Sequence, residues 1–124
     1  MTKALRRPAQ AKHLRDPRYG TLVELAGPAT GLCQMGVAWV EVDIGATSPA
    51  HWHEQTEEVY SVIEGQGTMY LDGEVFAVTR GDVISIRRGV VHAIKNPGPE
   101  PLRLIVATAP GYDEADDHET GAMT

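Results

Sequence analysis

The chain has 124 residues, with 11 basic and 17 acidic side chains and a formal net charge of −6. That length holds one domain, the acidic balance argues against nucleic acid as a partner, and no apolar run reaches the roughly 20 residues that span a bilayer. One cysteine, Cys33, excludes an internal disulfide and a multi-thiolate zinc site.

The first 18 residues carry Lys3, Arg6, Arg7, Lys12, Arg15 and Arg18, with Asp16 as the only acid. Short charged ends of this kind read as solvated or edge-packing segments, the alternative being an arm that docks on an acidic partner. No apolar stretch followed by a small-residue cleavage site occurs here, so the expected compartment is the reducing cytoplasm. Residues 1–30 form an N-terminal extension, and Thr21–Leu25 is its best strand, placed to pair at the edge of a homodimer.

From Gly31 to Ile44 the chain reads as one long strand, with Val40, Val42 and Ile44 alternating against Trp39, Glu41 and Asp43. Glu57 to Ile63 alternates again until Glu64-Gly65-Gln66-Gly67 interrupts it. Thr68–Leu71 and Glu74–Thr79 flank Asp72-Gly73, a two-residue hairpin signal. Further runs follow at Val83–Ile86, Val90–Lys95 and Leu102–Thr108, each introduced by a glycine or proline turn. Seven or eight short strands at this spacing make the fold all-β, a sandwich or barrel over residues 31–110. Residues 111–124 form an acidic tail containing Asp113, Glu114, Asp116, Asp117 and Glu119, read as solvated unless the oppositely charged ends meet. His13 and His118 lie in these ends and are expected at the surface.

Chemistry concentrates in His51-Trp52-His53-Glu54-Gln55-Thr56-Glu57-Glu58. Histidines separated by one residue share a face if the backbone is extended, and imidazoles with a carboxylate suit a divalent transition metal. His92 lies in a later strand that a barrel brings opposite them. Taken alone, a His-x-His is also compatible with loop histidines and a packed core histidine.

Gly45, His51, His53, Glu58 and Gly65, spaced by five, one, four and six residues, reproduce the first signature of the cupin superfamily. Gly81, Arg87, Gly89, His92 and Asn96, spaced by five, one, two and three, resemble the second, with Arg87 where proline is usual. The sequence resembles a small single-domain cupin, which implies an antiparallel jelly-roll barrel. It also implies a site in which His51, His53, Glu58 and His92 hold one divalent ion: iron, manganese, nickel, zinc or copper. Arg87 is then a solvated turn residue or a contact for an anionic substrate, and Asn96 stabilises a turn.

Alternation from these ligands turns Gln34, Val40, Val42, Tyr60, Val62, His92 and Ile94 into the barrel, and Glu57 out. Tyr60 and Gln34 are the candidate catalytic side chains in a mostly aliphatic pocket, and Trp52 faces outward. Three histidines and one carboxylate leave room on a metal for substrate or O2. The expected function is therefore a metal-dependent enzyme acting on a small molecule, with oxygenase chemistry first. A non-redox isomerase, cyclase or lyase is the alternative, and a binding module with a structural metal the third.

Overall fold

The computed structural model describes residues 4–121; Lys3 of the basic arm and residues 122–124 of the tail lie outside that range. Among the described residues eleven strands form in chain order: β1 (His13–Asp16), β2 (Gly20–Ala26), β3 (Gly36–Val42), β4 (His51–Trp52), β5 (Glu57–Glu64), β6 (Gln66–Leu71), β7 (Glu74–Thr79), β8 (Val83–Ile86), β9 (His92–Lys95), β10 (Leu102–Ala109) and β11 (His118–Glu119). The described helices are three 3-10 turns, none of them long and apolar enough to cross a membrane.

Six strands make one sheet in the order β1-β2-β3-β10-β5-β8, and five make the other in the order β11-β4-β9-β6-β7, all neighbours antiparallel. The all-β jelly-roll expectation holds. The inner faces carry the residues that alternation selects. Val42, Val62, Met69, Ile94, Leu102 and Leu104 are almost fully buried between the sheets. Removing such side chains from water is the main term that holds the two sheets together.

The turns follow from their residues. Asp72 and Gly73 both have positive φ, as a two-residue hairpin requires, and Leu71 faces Glu74 in register. All four signature glycines, Gly45, Gly65, Gly81 and Gly89, also have positive φ. At Gly65 there is a second constraint: a Cβ would lie 2.5 Å from the Pro101 carbonyl oxygen, so no other residue fits. Asn96 closes a further turn from inside. Its Nδ2 donates to Val42 O at 2.9 Å and Glu100 O at 2.8 Å, and its Oδ1 accepts Gly98 N–H at 2.8 Å.

Three expectations change. The strand expected over 31–44 runs only over Gly36–Val42: a 3-10 turn at Pro28–Thr30 precedes it, Gly31 is left-handed, and residues 31–35 are not strand. Thr21–Leu25 lies within β2, which is paired on both sides inside this chain, so the edge of the sheet is β1. The acidic tail is not solvated throughout. It turns back as a strap in which His118 pairs with Trp52 and Glu119 with His51. Arg18 joins the two charged ends through Glu119 at 2.9 Å.

Candidate metal centre

His51 and His92 face each other in register across β4 and β9. His53 follows on the same side, one residue past β4. Glu58 reaches in from β5, in the opposite sheet, so the four side chains bridge the barrel. Their ligand atoms all lie within 4.8 Å of one another. His53, Glu58 and His92 are buried, and His51 is half-buried.

The ring orientations are fixed by backbone carbonyls, which can only accept. His51 Nδ1 lies 2.7 Å from Pro49 O, His53 Nδ1 2.9 Å from Asp116 O, and His92 Nδ1 2.9 Å from Val90 O. Each Nδ1 must therefore carry a proton, and in the neutral ring each Nε2 is left as a bare lone pair. This is how metal-binding histidines are commonly oriented. His53 Nε2 then meets Glu58 Oε1 at 2.7 Å, and His92 Nε2 meets it at 3.3 Å. Lone pairs so close to a carboxylate repel unless a cation lies among them. His92 Nε2 and Glu58 Oε1 are accordingly buried with no partner when the rings are neutral. The donor set fits a divalent transition metal.

Without such an ion the same atoms favour a proton. Burial lowers the basicity of His53, but the hydrogen bond and charge of Glu58 outweigh it and raise its pKa. Burial likewise opposes ionisation of Glu58, yet His53 and His92 bring its pKa down to about 2. His51 is shifted down by burial and by the neighbouring His92.

A cavity of about 580 Å³ opens above His51, His53 and Glu58, with His92 buried beneath them. Its inner wall is aliphatic, with Val40, Val42, Ile94, Leu104 and Val106. Tyr60 stands there as expected, 6% exposed, its ring edge-on to His92 at 5.7 Å between centroids. Burial raises its pKa well above the ordinary phenol value, so it remains a proton donor. Gln34 is not in the site. It is exposed, beside Cys33, Glu57 and Arg88 in a separate surface depression of about 470 Å³. Parity counted back from β3 fails at Gln34 because residues 32–35 are not strand. Arg87 is also exposed, and its carbonyl accepts Val90 N–H at 3.3 Å, which makes it a turn residue.

The mouth is more polar than the alternation pattern implies, because the strap contributes to it. Tyr112, Glu114, Asp117 and Glu119 line the cavity, together with Tyr19 and Arg18 from the N-terminal side. Asp116 lies behind His53 and pins the following loop, its two carboxylate oxygens accepting Glu54 N–H and Gln55 N–H at 2.9 Å each. Trp52 turns outward but is covered by the His118 ring, stacked at 4.3 Å. The strap residues have no strand periodicity long enough to read. The one local signal is Asp113, whose side chain caps the 3-10 turn at Ala115 N–H.

Comparison with known proteins agrees with this architecture. An uncharacterised protein of Methanocaldococcus jannaschii, MJ1618, is 39% identical over 75 residues, which is 60% of this chain and 60% of that protein. The chain thus matches less than two thirds of that relative's length. Among solved structures, the polyketide cyclase RemF from Streptomyces resistomycificus superposes with a TM-score of 0.79 at 23% identity, over 98% of this chain and 87% of that one. The Streptomyces nucleoside dehydratase Pac13 superposes with a TM-score of 0.78 at 18% identity, over 99% and 95%. At these identities the likeness concerns the fold. The family model for the cupin domain matches residues 38–108, more than half of the chain, a span that includes all four converging side chains. This protein belongs to the cupin family.

Proposed function

We propose that the protein is a metal-dependent enzyme that transforms a small organic molecule by non-redox proton chemistry, of the lyase, cyclase or isomerase kind. One observation carries this reading: His51, His53 and Glu58 of the four-residue cluster line the floor of a cavity whose other ionisable lining is mostly phenols and carboxylates, the two arginines there being paired with carboxylates. Such groups hold and move protons. A divalent ion held by the four side chains supplies Lewis acidity toward a substrate oxygen. Tyr60 then acts as the buried donor to developing negative charge, and the aliphatic wall excludes water from that proton. The whole-length likeness to a cyclase and to a nucleoside dehydratase supports the same class.

Oxygenase chemistry is the second reading, favoured by the aliphatic inner wall, which suits an apolar substrate. Elemental analysis of purified or reconstituted protein should give about one first-row transition metal per chain. Its absence after reconstitution overturns both readings. Turnover that proceeds unchanged without O2 separates the first from the second.

We also propose that two copies pair through the outer face of the six-stranded sheet. Trp39, Ile105, Ser61 and Val83, half-buried or exposed, form one cross-strand row over β3, β10, β5 and β8. A mostly apolar row of that width supports an interface between copies.

A further inference from the structure

The polar groups around the cavity are strongly unbalanced in charge. Among the described residues, Asp16, Glu24, Glu58, Glu114, Asp117 and Glu119 contribute carboxylates to its lining, whereas the cations there are Arg15 and Arg18. Even with a divalent ion on the floor, the lining retains a net charge of −2. Neither arginine is free for a ligand. Arg15 is engaged by both oxygens of Asp43. Arg18 holds Asp16 at 2.8 Å through Nη2 and Glu119 at 2.9 Å through Nη1. Sites for phosphate or carboxylate present the opposite arrangement, an uncommitted guanidinium fork or ammonium.

Hydrogen-bonding capacity leans the same way. Asp117 Oδ2 accepts the Tyr112 hydroxyl at 3.0 Å, while Asp117 Oδ1 is shielded from water and has no partner. No donor of the protein offsets the negative charge on this oxygen, so the Asp117 carboxylate favours a donor or a cation at the cavity mouth. An arriving anion instead meets further acceptors and the uncompensated field of a concave, partly apolar wall, which focuses it.

We propose that the cavity takes an uncharged or cationic small molecule rich in hydrogen-bond donors, and that it turns away phosphorylated and carboxylated ones. The acidic strap, through Asp117 and Glu119, sets this selectivity. The inference rests on the reading of the barrel as the substrate site and narrows the class of substrate that it accepts.

Three molecules with one skeleton and different charge test it: tyrosol (neutral), tyramine (cationic) and 4-hydroxyphenylacetate (anionic). Binding is read by amide chemical shifts of cavity residues in the full chain, zinc-loaded and EDTA-treated, at low and high salt. The expected result is dissociation constants at least about tenfold lower for tyrosol and tyramine than for the acid, with the tyramine preference shrinking as salt rises. Asp117→Asn should narrow the gap about threefold or more, and Glu119→Gln should strengthen binding of the acid by releasing Arg18 from one partner. Equal or tighter binding of 4-hydroxyphenylacetate in both forms overturns the proposal. So does the failure of all three molecules to shift cavity residues, or a charge preference unmoved by both variants in protein that melts like the wild type. Zinc content is measured on the same samples. Failure to take up zinc therefore counts against the metal-enzyme reading, while the ranking in the EDTA-treated form still decides this one.

Discussion

The backbone carbonyl of Asp116 accepts the Nδ1 proton of His53 at 2.9 Å, across 63 positions of sequence. Asp116 thereby fixes which nitrogen of His53 faces the cluster, and its carboxylate anchors the next two backbone N–H groups. The C-terminal strap is thus a supporting shell of the proposed metal centre.

Asp116→Ala keeps that carbonyl but removes the carboxylate that anchors Glu54 N–H and Gln55 N–H, so it should loosen the strap against His53 and weaken metal binding by about tenfold, the low end of what loss of an outer partner of a ligating histidine costs. The direct substitutions His51→Ala and His92→Ala should abolish stoichiometric binding. Isothermal titration with zinc after EDTA treatment checks both; wild-type affinity in the Asp116 variant would show that the carboxylate's hold on Glu54 and Gln55 does not support the site.

Glu58 gives the metal-free protein a distinctive acid response. Its folded pKa, near 2, lies below the ordinary carboxylate value of 4.5. A depressed carboxylate pKa contributes stability that is complete above about pH 4.5 and is lost as pH falls toward about 2. The difference in unfolding free energy between wild type and Glu58→Gln should therefore shrink over that window, by on the order of 3 kcal/mol. Urea titrations of EDTA-treated protein at several pH values measure it, and a pH-independent difference would contradict the ion pair.

Asn96→Ala should destabilise the fold by about 2–4 kcal/mol while leaving metal stoichiometry unchanged. The side chain is fully buried, and its loss strands two carbonyls and one N–H. Thermal unfolding paired with metal analysis separates this turn role from a ligand role.

The proposed dimer gives a fourth test. Ile105→Asp places a charge in the middle of the outer row without touching the cavity side of β10. Light scattering should report two chains for the wild type and one for the variant. A monomeric wild type rejects the interface.

Much of the barrel is legible in the sequence because period-two alternation and glycine turns are local signals. Val40, Val42, Tyr60, Val62 and Ile94 are inside for the reason that alternation gives, and Glu58 rather than Glu57 faces the histidines. Gln34 fails because parity holds only within one unbroken strand, and β3 starts at Gly36, so residues 32–35 lie outside it. Tyr112, Asp116 and Asp117 are invisible for a different reason. They act through contacts made by a segment that lacks periodicity of its own and whose two-residue strand exists only because β4 is there to pair with it. Acidic composition alone cannot separate such a segment from a solvated tail.

The strap also makes the tautomer of His53 depend on a contact far away in sequence. Without residues 113–119 folded back on β4, His53 Nδ1 loses the carbonyl that fixes its proton, and the ring is free to rotate. The fold-back of that segment gives the cluster its defined geometry. Fusion of a bulky partner close behind Glu119 would act on that fold-back.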